Sequence, residues 1–189
     1  MARPYILLLA SFAVSAAPAG AQSLAETNQR IVLAGQAPAA CVIANPVAQG
    51  GANASFTSQS ATSGQITIAQ LVDPFAATAL PSSIALELPV ICNTSHRLTV
   101  RSMNGGLARG GQFNNRGTGG FSEFLPYRVT VDWGGQNLSQ NSDAGRAQIS
   151  LDRPAQGFAR IGFATTAGGG PLVAGQYTDA LIIELAPAN

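Results

Sequence analysis

Two stretches of strict alternation constrain this chain most. Ile84, Leu86, Leu88, Val90 and Cys92 fall on one side of an extended segment, with Ala85, Glu87, Pro89 and Ile91 on the other. Tyr127, Val129, Val131 and Trp133 repeat the pattern against Arg128, Thr130 and Asp132, and Gly134-Gly135 ends it with a turn. Successive side chains of a strand point to opposite faces, so this alternation marks strands with one buried face. The helical spacing of apolar residues is almost absent from the chain.

Shorter candidates obey the same rule: Leu98 with Val100, Ile66 with Ile68, Ile149 with Leu151, and Ile161 with Phe163. The last runs from Tyr177 to Leu185, with Asp179, Leu181, Ile183 and Leu185 on one face and Ala180, Ile182 and Glu184 on the other. Many short strands separated by Gly, Pro, Asn and Ser predict an all-β sandwich of about seven strands. Asn45–Gly64 and Asn104–Gly120 read as long loops, and Pro74–Leu80 as one helical turn or a loop. The second loop holds seven glycines around Arg109, Phe113 and Arg116. A phosphate cradle would need a strand before it, a helix after it and a fixed glycine spacing, so a surface loop is the expectation.

The amino terminus predicts export. Arg3 supplies a positive start, Ile6 to Ala17 an apolar stretch, and Ala19-Gly20-Ala21 a small-x-small cleavage site, so residues 1–21 read as a signal peptide. The apolar run is shorter than the roughly 20 residues a membrane-spanning helix needs. Residues 22–40 then form an N-terminal extension, and residues 41–189 are long enough for one domain with its own core. Export agrees with the two cysteines, Cys41 and Cys92, for which a disulfide is the simplest reading in an oxidising compartment. Such a link would close a long loop and stabilise the fold by on the order of 4 kcal/mol. Two free thiols, or a metal pair with His96, are the alternatives; two sulfurs and one imidazole fall short of a structural zinc site.

Charge narrows function. Charged residues make up 10% of the chain, there is no lysine, and the net charge is +1, so no basic character suited to nucleic acid is expected. Catalytic groups are sparse. His96, the single histidine, comes after Cys92-Asn93-Thr94-Ser95 and reads as a solvated turn residue whose replacement by alanine leaves the fold intact. No Gly-x-Ser-x-Gly elbow occurs, and the carboxylates from Asp73 to Glu184 suggest no facing pair. Asn141-Ser142-Asp143 lacks the ligand spacing of a calcium loop. Tyr127 and Trp133, on the buried side of their strand, read as core residues and not as a sugar platform. The expectation is a protein without enzymatic activity, cofactor or metal.

The ordered motifs resemble the spore coat protein U domain family, which includes subunits of archaic chaperone–usher pili. The resemblance rests on Cys41-Val42-Ile43-Ala44-Asn45-Pro46, on Leu88-Pro89-Val90-Ile91-Cys92-Asn93, and on Leu125-Pro126-Tyr127-Arg128-Val129 leading to Trp133. It ends in Pro171-Leu172-Val173-Ala174-Gly175-Gln176-Tyr177-Thr178-Asp179 before the apolar last strand, the most specific of the four. The Phe-Gly-Tyr segment expected soon after the first cysteine is absent, and residues 49–64 stand in its place.

The resemblance implies an immunoglobulin-like, pilin-type β-sandwich that lacks its last strand. A periplasmic chaperone would fill the gap first, and the N-terminal extension of a neighbouring subunit, delivered at an outer-membrane usher, would fill it in the fibre. Ile31, Leu33 and Gly35 alternate as a donor strand should, although Asn28, Gln29 and Arg30 precede them and Pro38 comes after. Leu181, Ile183 and Leu185 are the expected acceptor face. The function implied is a structural subunit of a cell-surface fibre or coat, reached through the periplasm. The alternative is a self-contained secreted sandwich that binds a glycan or protein through its loops.

Overall fold

A computed structural model describes residues 29–111, 117 and 119–188 of the chain. The signal-peptide reading, and Phe113 and Arg116 of the glycine-rich segment, lie outside the described residues. Residues 29–36 have no regular secondary structure, and Ile31, Leu33 and Gly35 among them are exposed. From Ala37 onward the chain forms one compact unit.

Its strands are, in chain order, β1 (Cys41–Ile43), β2 (Val47–Ala52), β3 (Ala54–Ser60), β4 (Ser63–Ile68) and β5 (Ser82–Cys92). Then come β6 (His96–Ser102), β7 (Leu107–Arg109), β8 (Phe124–Leu125), β9 (Arg128–Trp133) and β10 (Gln136–Asn141). The chain closes with β11 (Arg146–Leu151), β12 (Ala155–Thr165), β13 (Tyr177–Thr178) and β14 (Leu181–Pro187). All pairing within the sheets is antiparallel. The large sheet has the order β1-β5-β12-β9-β10, with β2 also on β5; the second is β11-β6-β14. Two small sheets, β13-β7-β8 and β3-β4, complete the fold.

The alternating segments build the core as their sequence predicts. Ile84, Leu86, Leu88, Val90 and Cys92 are all buried from β5, and Val129, Val131 and Trp133 from β9, with Tyr127 just before it. Ile161 and Phe163 join them from β12. Leu98, Val100 and Ile149 of the second sheet pack into the same cluster, so this is an all-β sandwich with one core between two sheets. Burying apolar faces of two sheets against each other is what makes the alternation stable. The β9–β10 turn is the two-residue Gly134-Gly135, with φ +61° and +83°. Both residues need the left-handed region that glycine tolerates, and a Cβ on Gly134 would lie 2.3 Å from Leu151. Cys41 and Cys92 are directly paired across β1 and β5 and joined by a disulfide.

Three expectations need correction. The strand count is fourteen among the described residues, not about seven, because several are two- or three-residue ladders too short for periodicity to register. Residues 45–64 are no loop: they hold β2, β3 and the start of β4. These strands are mostly exposed and rich in Ser, Thr, Gln and Gly, so they carry no apolar rhythm. The segment 104–120 contains β7. Of the two readings of residues 74–80 the loop is the one found: Asp73 accepts hydrogen bonds from the backbone N–H groups of Phe75 (2.8 Å) and Ala76 (2.9 Å) and holds a tight turn.

Candidate functional site: an open strand edge and its groove

The terminal strand is set by one carboxylate. The sequence reads Tyr177 to Leu185 as one strand, but the chain breaks between β13 and β14, where Asp179 turns to bond inward. Asp179 accepts hydrogen bonds from the Tyr127 hydroxyl (2.7 Å), the Ser102 hydroxyl, and the backbone N–H groups of Asn104 (2.9 Å) and Ala180 (2.8 Å). It therefore ties the start of β14 to the end of β6 and to the residue that opens β9. Nearby, Tyr177 lies close enough to donate its hydroxyl hydrogen to the carbonyl of Val173 (2.8 Å) or of Ser122 (3.0 Å). Arg109 pairs with Glu123 (2.9 Å) and donates to the Ala174 carbonyl (2.9 Å). The motif Pro171–Asp179 thus anchors the N-terminal end of β14.

Burial, and then the hydrogen bond to the Asp179 carboxylate, push the Tyr127 phenol well above its ordinary value. A raised folded-state value means the protonated phenol is favoured by folding, so this stability is complete below the unfolded value and is lost as pH rises beyond it. The ordinary phenol value is 10.0. The chain has no lysine and both cysteines are linked, so little else but tyrosine titrates there. Denaturant unfolding should show stability falling by about 1.4 kcal/mol per pH unit above about pH 10. Tyr127→Phe, though less stable at neutral pH, should be much flatter in that range; an equal slope in the variant would remove Tyr127 as the cause.

β14 pairs with β6 on one side, and among the described residues no strand pairs with its other edge. In an antiparallel ladder, residues alternate between bonding their direct partner and directing both backbone groups away from it. The N–H of Met103 bonds the Ala180 carbonyl, and the N–H of Ala188 bonds the Ser95 carbonyl, at either end of the ladder. By that alternation Ile182, Glu184 and Ala186 face β6, while Leu181, Ile183 and Leu185 direct their N–H and C=O groups to the open edge. The same three residues turn their side chains to the interior.

Along this edge lies a groove of about 780 Å³. Leu181 and Ile183 line it from the second sheet, and Leu86 and Leu88 from the large one. Leu185 is partly buried against the core and is not among the lining residues. Phe56 and Ile66, directly paired across β3 and β4, also line it, as does Ile43. The sequence misses Phe56 because serine, threonine and glutamine surround it. The base of this hairpin is pinned by Asn53, which sits at φ +55° and bonds the carbonyl (2.6 Å) and N–H (2.9 Å) of Gln70 and the Ser82 hydroxyl (2.8 Å).

The remaining candidates are structural. His96 is not a solvated turn residue: it is fully buried as the first residue of β6. Its Nε2 accepts the indole N–H of Trp133 at 2.9 Å, and its Nδ1 lies 2.9 Å from the Thr94 carbonyl. An indole N–H can only donate, which leaves Nδ1 to carry the hydrogen given to Thr94. Glu87 pairs with Arg160 at 2.7 Å. No group of three metal-ligating side chains occurs among the described residues. At the end of the stretch 22–40, Asn93 bonds the carbonyl of Pro38 and the N–H of Ala40, both at 2.8 Å. A scan of the chain against protein-family models finds no match, and a search of curated proteins finds no relative.

Proposed function

We propose that this protein is an exported structural subunit, completed by an extended strand from another chain and polymerised into a surface fibre by donor-strand exchange. The observation that carries this reading is the open edge of β14 beside a groove into which both sheets turn apolar side chains, among polar ones such as Thr62, Gln65 and Gln176. Unpaired backbone groups next to exposed apolar side chains are unstable in water and accept an extended strand, whose main chain completes the ladder while alternate side chains fill the groove. The order β6-β14, with no strand beyond β14 among the described residues, suits an immunoglobulin-like sandwich short of its last strand. The resemblance of four motifs to the spore coat protein U domain favours the chaperone–usher class. On this reading a periplasmic chaperone occupies the groove before assembly at an outer-membrane usher, and the extension of a neighbouring subunit occupies it afterwards.

Antibody labelling of the native cells should decorate surface fibres. Fibres extracted in SDS without boiling should run as a ladder of multimers that collapses to monomer on boiling. A chain found only as a soluble monomer would overturn the proposal in favour of the self-contained binding module.

A further inference from the structure

The chain is nearly neutral overall, but the fold sorts its charge. In β6, Leu98 and Val100 point into the core, so Arg97, Thr99 and Arg101 share the outer face. In β11, Ala147, Ile149 and Leu151 are buried, which puts Arg146, Gln148 and Ser150 on that same outer face. The register sets Arg146 directly across from Arg101, and Ser150 directly across from Arg97. Like charges directly opposed on a sheet destabilise it, so the Arg101–Arg146 pair needs an anion to be favourable.

The protein supplies little of one. Glu184 is the single carboxylate on this face, and it reaches one terminal nitrogen of Arg101 at 3.6 Å. The Nε of Arg101 is shut off from water with no acceptor. That guanidinium is partly dehydrated without full compensation, which raises the gain from a charged acceptor at its open side. Arg97 and Arg146 are exposed and make no ion pair with a described residue.

We propose that the outer face of β11-β6-β14 binds an acidic polysaccharide. The face is an open sheet, and Arg97 and Arg101 stand four residues apart along one strand, roughly 13 Å. This spacing suits anionic groups repeated along an extended chain. Gln148 and Ser150 are exposed beside the arginines and offer amide and hydroxyl groups to sugar hydroxyls, while Thr99 between Arg97 and Arg101 is buried. No aromatic side chain is on the face to stack a base, which disfavours a single-stranded nucleic acid. Binding at this face does not require donor-strand assembly.

The test uses the full mature chain on immobilised heparin and polygalacturonate, with neutral dextran as the blank. Both acidic polymers should be bound, with affinity falling roughly tenfold from about 50 mM to about 200 mM NaCl. The double variant Arg97→Gln/Arg146→Gln should lose at least roughly tenfold in affinity, while Arg128→Gln/Arg153→Gln, the same charge change off this face, should stay within about twofold. Melting curves verify that both variants fold. Equal losses in the two variants, or no binding by the wild type at low salt, would overturn the proposal. Poly-L-glutamate bound as tightly as the polysaccharides would make the partner an acidic polypeptide and overturn the assignment to a sugar polymer.

Discussion

His96→Ala should be among the most damaging single substitutions in this protein, lowering stability by about 3–5 kcal/mol. The imidazole is fully buried, so its removal leaves a cavity against Leu98's end of the core. It also strands the indole N–H of the buried Trp133, and takes its partner from the carbonyl of the half-buried Thr94. An unsatisfied buried donor costs about 1–3 kcal/mol, so the stranded indole adds materially to the loss of packing. For a domain of this size the melting temperature should fall by roughly 10 °C. His96→Gln keeps an acceptor for the indole and should recover part of the loss. A His96→Ala variant within about 0.5 kcal/mol of wild type, by denaturant unfolding, would show that the ring is not the buried hydrogen-bonding bridge described.

The sequence contains the signal for this burial. Asn93 to Ser95 is indeed a turn, but the alternation of Leu98 and Val100 extends one step back to His96. A polar residue on an apolar face is the informative case, because it must find partners there. The partners are not legible: Thr94 and Trp133 lie 2 and 37 residues away, and only the sandwich brings the indole to the ring.

The same division holds elsewhere. Strands with a buried face are readable because the core imposes period two, as in β5, β9 and the inner residues of β12. Strands β2, β3 and β10 are not, because exposed strands are free to be Ser, Gln, Gly or Asn on both faces. For the groove, the apolar rhythm of the last strand names Leu181 and Ile183, but not Phe56, which reaches it from a hairpin the rhythm does not mark. By sequence, Asp179 is one more residue on the inward face of one continuous strand. Its four hydrogen-bond donors come from β6, the residue opening β9 and the adjacent backbone, a convergence that only tertiary structure creates.

Segregated charge is equally hidden. Arg97, Arg101 and Arg146 are unremarkable along a chain of net charge +1, and their gathering requires the register that sets β11 against β6. Local pattern thus settles which residues go inside, while the pairing order settles which outside residues meet.

Replacing both Ile31 and Leu33 with aspartate should abolish fibre formation while leaving the subunit able to bind its chaperone. Both side chains are exposed, at 76% and 93%, in a segment without regular structure, so their replacement should leave the fold of their own subunit intact. In a neighbour's groove the segment Arg30–Gln36 would run beside β14, antiparallel like the pairs of named strands in this fold. Its N–H and C=O groups would meet those that Leu181, Ile183 and Leu185 direct outward. Ile31 and Leu33 would then enter the groove lined by Leu86, Leu88, Leu181 and Ile183, and Gly35 would allow close approach of the two backbones. Burying two such side chains contributes roughly 3–6 kcal/mol before ordering costs, whereas a buried aspartate finds no charge partner among those four lining residues. The variant should be recovered from the periplasm as a chaperone-bound monomer, with no multimer ladder in unboiled SDS extracts. Fibres of normal abundance and heat resistance from the double variant would show that this segment is not the donor, and would shift the balance toward a sandwich that binds its targets as a finished unit.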